Sequence, residues 1–308
     1  MDLARYLYGI GLPGPRIEGP VETMGFKAFN LARMAAIGLP VPQAFVLGTP
    51  FCQTFGDDPA AFRPALRKLL ESQIERLEAA CGLEFGSGRK PLLVSVRSGA
   101  PVSMPGMMDT LLDVGLTDAT LRGLLRLTGN PRLVWDSYRR LIQQYAEVVH
   151  HNPAAPFREA LALAMAATGA RRPQELDFHA LTRLARRNLE IFESASGSPF
   201  PQDPLAQLQQ ATEAVFDSWM SPRAIEYRRM RRIDAQMGTA VTIQRMVFGN
   251  AGGTSGAGVG FSRDPASGEN RLYLDFRFNS QGEDVVSGQQ SAHDTRSEER
   301  RVGKECLR

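Results

Sequence analysis

The order of apolar and polar positions divides the chain into stretches of different period. Residues 1–20, rich in Gly and Pro, read as an irregular lead-in. Ala28 to Ile37 then has helical spacing, with Phe29, Leu31, Met34 and Ile37 available for burial. Gly38 is a candidate C-cap, and Pro40 and Pro42 stop the helix from continuing. Gln43 to Leu47 reads as a strand, and Leu92-Leu93-Val94-Ser95-Val96 as a buried strand that ends at Arg97. Residues 117–220 are predicted mostly helical, with Thr117-Asp118 able to cap the first helix. Val134, Tyr138, Leu141, Tyr145 and Val148 recur at helical spacing. So do Phe178, Leu181, Leu184, Leu189 and Phe192, and then Leu205, Leu208, Val215, Phe216 and Trp219. These stripes read as core faces. From Thr239 the period changes. "TAVTIQRMVFG" alternates as a strand, and "GVGFSRDPASGENRLYLDF" has strand character on both sides of a turn at Asp264–Asn270.

Composition adds limits rather than a function. With 308 residues, 43% hydrophobic and 22% charged, the chain has ample material for one large domain or two to three lobes. No apolar run approaches the roughly 20 residues of a membrane span, and the N-terminus shows no secretory signal pattern. No membrane partner is expected. Cys52, Cys81 and Cys306 are odd in number and widely spaced. They read as free thiols of a reducing compartment, by default the cytoplasm. The formal charge is +3, but Arg296 to Cys306 ("RSEERRVGKEC") resembles a translated DNA-sequencing adapter. Residues 296–308, with five basic and three acidic side chains, are therefore expected to be an artefactual tail, and without them +3 falls to +1. A charge-based case for nucleic-acid binding then fails. The run "RRMRR" (Arg228–Arg232) reads as a solvated helix face.

Candidate chemistry concentrates at three places. A charge at the end of a buried strand needs a partner, because an unpaired buried guanidinium costs several kcal/mol. Arg97 is followed by Gly99, Pro101 and Pro105-Gly106, and Gly106 would let backbone amides approach a ligand. From the residues alone, Arg97 is either an anion ligand or a surface arginine at a turn. Lys27 at a helix start opposes the helix dipole, which suits a bound anion or a solvated lysine. Gly249–Gly258 ("GNAGGTSGAG") holds five glycines in ten residues. It would cradle phosphates or form a hairpin tip, and it matches no standard phosphate-loop spacing. The four histidines do not cluster at metal-ligand spacing.

Several segments resemble the N-terminal, ATP-binding region of the pyruvate phosphate dikinase family. The strongest are "VSVRSGAPVSMPGMMDTLLDVGL", "DSYRRLIQQYAEVV", "FPQDPLAQLQQATEAVFDSWMSPRAIEYRR", "TAVTIQRMVFGNAGGTSGAGVGFSRDPASGE" and "NSQGEDVVSG", and the resemblance runs from about residue 22 to 288. The resemblance implies an α+β, ATP-grasp-like, two-lobed nucleotide-binding domain with a helical insertion. Its parts would be a first lobe over 21–116, a helical insertion over 117–235 and a truncated second lobe over 236–295. It also implies ATP and Mg²⁺ as ligands. Lys27 and Arg97 would hold ATP phosphates and take part in catalysis, and Gly106 and Thr110 would line the phosphate loop. Gln244, Arg245 and Val247 would read adenine through backbone groups. Glu283 would bind Mg²⁺, assisted by Gln281. Phe26, Ala28, Asp275 and Gln290 depart from the family's usual residues. The implied partners, absent from this chain, are a phosphohistidine domain and a pyruvate/phosphoenolpyruvate-binding barrel, with a homo-oligomer open to the full-length enzyme. The implied function is ATP–Mg²⁺ binding and transfer of the β-phosphoryl to a histidine elsewhere. The alternative is a stand-alone ATP-binding or regulatory module.

Overall fold

The computed structural model describes residues 2–13, 19–104, 106–282 and 285. Glu283, Gln290 and the expected tail at 296–308 lie outside the described residues. The chain divides into two compact units, one ending at Met246 and one beginning at Val247.

The first unit is built on an antiparallel five-stranded sheet. Its strands are β1 (Leu7–Ile10), β2 (Ala44–Leu47), β5 (Val94–Gly99), β6 (Thr110–Val114) and β7 (Ala240–Arg245), in the order β1-β2-β7-β5-β6. A parallel pair, β3 (Glu84–Phe85) and β4 (Pro91–Leu92), stands apart. Helices α1 (Val21–Met24), α2 (Phe26–Ala36), α3 (Thr49–Asp57) and α4 (Pro59–Cys81) lie early in the chain. The expected helical stretch holds α5 (Asp118–Thr128), α6 (Pro131–Val148), α7 (Ala155–Thr168), α8 (Phe178–Ser196), α9 (Pro204–Ser218) and α10 (Pro222–Arg231). Thr117 caps α5 in a reciprocal capping box with Thr120.

Four expectations change. Residues 1–20 are expected to be an irregular lead-in, yet Leu7–Ile10 forms β1 and pairs residue for residue with β2, from Leu7 beside Leu47 to Ile10 beside Ala44, because Tyr8 and Ile10 have an apolar face to cover. The strand pattern ends at Arg97, yet β5 runs on to Gly99, because Arg97 is paired on both sides, with Thr110 and Thr242. The second lobe is expected from residue 236, yet β7 lies between β2 and β5 in the first unit's sheet. Five consecutive buried residues in β7 need strands at both edges and cover on both faces. In α2, Met34 and Ile37 are exposed. Phe29 and Leu31 pack against the sheet cluster as expected, and Ala28, Ala32 and Ala35 join them; Ala28, Leu31, Ala32 and Ala35 form one face at the i, i+3, i+4, i+7 spacing. It ends as expected at Gly38, whose φ of +85° allows the N–H bonds Gly38 to Ala35 and Leu39 to Met34.

Register assigns the two faces of the sheet. Paired residues share a face. One face carries Phe45, Leu47, Val94, Val96, Val241 and Ile243, against which α3, α4 and α9 pack. On the other, a row runs Tyr8, Val46, Thr242, Arg97, Thr110 from edge to edge. The β1–β2 half of that face is apolar and closes with Met24 and Ala28 into a core cluster. The β7–β5–β6 half is polar, with Ser95, Arg97, Thr110, Thr242 and Gln244.

The second unit pairs β8 (Gly256–Phe261) with β9 (Tyr273–Phe278) in antiparallel register. Asp264 orders the intervening turn, accepting hydrogen bonds from the N–H groups of Ala266 and Ser267 and from Arg271. These donors hold its carboxyl down at about 2.

Candidate functional site

The start of α2 is fastened to the end of β5. Gly25 has φ +79°, and a Cβ there would fall 1.9 Å from the Gly99 carbonyl oxygen. Only glycine fits such an approach. The N–H of Phe26 donates to the Ala100 carbonyl at 3.1 Å. Lys27, next in the chain, is thereby set over β5, and its Nζ donates to the Ser98 carbonyl at 3.2 Å. Lys27 as a residue is exposed; desolvation of its ammonium beside the sheet lowers its pKa, and the charge of Arg97 lowers it further. Arg97 is half-buried. Among the described residues, no carboxylate pairs with either cation. Of the departures, Phe26 is half exposed and Ala28 is buried in the sheet cluster.

Thr110 opens β6 directly beside Arg97. The loop before it turns through a Met107 N–H to Met104 carbonyl bond. Gly106 in that turn has φ +71°, with open space where a Cβ would sit. Asp109 is ion-paired to Arg223 on α10, which anchors the loop's end. Lys27, Arg97 and Thr110 are thus gathered at the polar half of the sheet, with the Gly106 loop leading into it.

Other predicted residues are occupied. The Gln244 amide donates to the Pro42 carbonyl at 3.0 Å, and the Gln244 carbonyl accepts from Ser95 Oγ at 3.4 Å. The N–H groups of Arg245 and Met246 donate to Gln43 and Leu93 carbonyls, each at 2.9 Å. The Arg245 guanidinium, on the sheet's opposite face, donates to Gln43 Oε1 at 3.3 Å. In the second unit, Gln281 Nε2 donates to the Val247 carbonyl at 3.1 Å, while Gln281 Oε1 accepts from the Gly249 N–H at 3.0 Å. That amide clamps the start of the glycine-rich loop. Among the described residues, no group of three His, Cys, Asp or Glu side chains is placed to hold a metal ion.

Three contributors escape the sequence reading: the Ser98 carbonyl, Gly99 and Thr242. The alternation in "TAVTIQR" signals that Thr242 and Gln244 share a face, but not that Arg97 lies beside them. A cavity of about 460 Å³ lies elsewhere, lined by Cys52, Phe55, Phe216 and Trp219 among others, without Lys27 or Arg97. Burial pushes the Cys52 thiol up to about 11, which keeps it protonated and unreactive.

The family described as pyruvate phosphate dikinase, AMP/ATP-binding domain, matches residues 60–303, a span that holds Arg97 and begins after Lys27. The pyruvate, phosphate dikinase of Rhizobium meliloti (strain 1021) is 44% identical over 289 residues, covering 93% of this chain and 32% of its own length. That of Clostridium symbiosum is 44% identical over 266 residues, 86% of this chain and 30% of its own length. Pyruvate, phosphate dikinase 2 of Zea mays is 45% identical over 273 residues, 89% and 31%. The chain spans about a third of the length of these relatives. No helix of the described residues is long and apolar enough to cross a membrane.

Proposed function

The chain belongs to the pyruvate phosphate dikinase AMP/ATP-binding domain family, and from that premise we propose that it binds ATP–Mg²⁺ with Lys27 and Arg97 on the phosphates. The observation that carries this reading is a pair of neighbouring cations that no carboxylate among the described residues neutralises. A polyphosphate supplies the missing counter-charge. Lys27 would exchange its bond to the neutral Ser98 carbonyl for a charge-assisted bond to phosphate oxygen, about twice as strong. Arg97 would make a bidentate contact. The helix-rich α+β fold agrees with the ATP-grasp domain that the sequence resemblance implies. Adenine would be read by those backbone groups of the Gln244–Val247 segment that the sheet leaves free. Mg²⁺ would neutralise phosphate oxygens, and the Glu283 carboxylate is the hard oxygen ligand the sequence offers for it.

In the whole reaction, ATP, phosphate and pyruvate would give AMP, pyrophosphate and phosphoenolpyruvate. This chain's part would be to present the β-phosphoryl to a histidine on a separate domain, with a pyruvate-binding barrel as the further partner. Such a step is mostly positioning and charge neutralisation. The free thiols Cys52 and Cys81 suit a reducing compartment, and the cytoplasm is our assignment.

Calorimetric titration of ATP–Mg²⁺ into the wild type, Arg97→Ala and Arg97→Lys tests the reading. Arg97→Ala is expected to weaken binding by roughly ten- to a hundredfold, with partial recovery in Arg97→Lys. Unchanged affinity with an intact circular dichroism spectrum would return Arg97 to a structural role.

A further inference from the structure

The polar row on the sheet contains one group that neither the sequence resemblance nor the ion-pair pattern assigns. Thr242 is 2% exposed, and its Oγ1 is buried with no hydrogen-bond partner. Buried hydroxyls are nearly always bonded, because an unsatisfied one costs about 1–3 kcal/mol. Thr242 is the direct cross-strand neighbour of Arg97, and it shares that face with Thr110 two strands away. The other buried polar side chains of this half-face, Ser95 and Gln244, have partners within the protein.

The adjoining row holds a notch. Gly99 pairs with Ala240 on the same face, and its φ is not in the region that favours glycine. A Cβ built on Gly99 meets nothing closer than 3.8 Å, and Thr242 Oγ1 stands at 3.9 Å from it. Glycine at this position therefore leaves atom-sized room beside an unpaired donor, next to two cations that pair with no carboxylate among the described residues. Backbone conformation does not demand it.

We propose that the Thr242 hydroxyl and the Gly99 notch form the inner wall of the Lys27–Arg97 site, where the hydroxyl donates to an oxygen of a bound polyphosphate. This assignment rests on the ATP-binding reading and sharpens it: the inner wall recognises the phosphate chain, not the nucleoside. The unsatisfied hydroxyl lowers the stability of the free protein, and the bound phosphate satisfies it. A residue kept for stability would show the opposite signs.

The test compares Thr242→Val, Thr242→Ser and Gly99→Ala with the wild type, titrating ATP–Mg²⁺ and inorganic tripolyphosphate–Mg²⁺ and following thermal unfolding without ligand. Thr242→Val removes the hydroxyl at nearly constant shape. It is expected to weaken both ligands by a common factor of about ten, with a thermal midpoint equal to or above that of the wild type. Thr242→Ser keeps the donor and is expected to stay within about twofold. Gly99→Ala fills the notch and is expected to weaken both ligands while its circular dichroism spectrum is unchanged. Unchanged affinity in Thr242→Val, or a loss for ATP without a loss for tripolyphosphate, would overturn the assignment. So would a Thr242→Ser variant as weak as Thr242→Val. If Arg97→Ala weakens ATP and Thr242→Val does not, only the inner wall is lost. If Arg97→Ala also leaves ATP binding unchanged, the phosphate site itself is wrong.

Discussion

Two groups of cations in the first unit have opposite surroundings. On α6, Arg139 lies 2.7 Å and Arg140 3.1 Å from the two carboxylate oxygens of Asp136. Asp136 and Arg139 are both buried. Burial pushes the Asp136 pKa up, but the guanidinium groups of Arg139, Arg140 and Arg132 together outweigh it and hold the carboxyl below its usual range. Asn188 of α8 donates to the Arg139 carbonyl at 3.1 Å, which joins this cluster to the next helix. Among the described residues no carboxylate pairs with Lys27 or Arg97, and Lys27 is exposed and Arg97 half-buried where Arg139 is buried. A cation with its own counter-charge belongs to the architecture. A pair of cations without one among the described residues is, in our proposal, matched to an anion from outside.

The largest effect that would break this contrast is on α6. Asp136→Ala strands a buried guanidinium, and about 3–5 kcal/mol of stability is expected to be lost in denaturant unfolding. ATP–Mg²⁺ affinity of the folded fraction should not change. In the wild type the Asp136 contribution is present above pH 3.8 and is lost as pH falls through the lowered folded-state pKa. A small stability loss, or an altered affinity, would erase the distinction between the two groups.

Lys27→Met is the mirror experiment. It removes a desolvated cation beside Arg97, so the thermal midpoint of the free protein is expected to hold or rise. ATP–Mg²⁺ affinity is expected to fall by about tenfold or more, as for a lost charge-assisted bond. A falling midpoint in unliganded protein would show that Lys27 serves the fold.

The pH dependence has a defined sign. Folding lowers the Lys27 pKa from 10.5, so the unfolded chain binds more protons at that site. Stability of the free protein therefore rises with pH between the lowered value and 10.5. ATP–Mg²⁺ affinity is expected to fall across the same window, because the bound anion needs the charged ammonium. Lys27→Arg should flatten this profile, which isothermal titration at a series of pH values would read.

The smallest effect belongs to the second unit. Gln281→Ala frees the Val247 carbonyl and the Gly249 N–H, each worth about 1 kcal/mol. Amide exchange at Gly249 should accelerate, while the midpoint of the whole chain moves little. Unchanged exchange would mean that the glycine-rich loop is held by something else.

Much of this was legible in the chain because it is local. The α6 stripe, the Thr117 cap, the Gly38 stop and the turn at Asp264 depend on residues within a few positions of one another. Lys27 and Arg97 stood out in the chain through motif resemblance and through the oddity of a cation at a helix start and an arginine on a buried strand, and their role on the phosphates is our proposal. The end of β5 was not legible, because a strand stops where its partners stop. Nor was the rotation of α2, which was decided by what its sheet offered: Ala28, Phe29, Leu31, Ala32 and Ala35 pack on the β1–β2 half, and Met34 and Ile37 are left outside.

By itself the sequence determined many of the element types, from the helical stripes of 117–220 to the strands at 43–47 and 239–245, and the family resemblance, because period, capping and motif are carried by neighbours in the chain; β1 it read as irregular. Only the tertiary structure decided that β7 lies between β2 and β5, and with it that Thr242 stands against Arg97. It also decided that Gly99 leaves room there and that Gln281 clamps a loop. Strand order and register arise from burying both faces of a sheet at once. That energy is shared among residues far apart in the chain, and no local pattern records it.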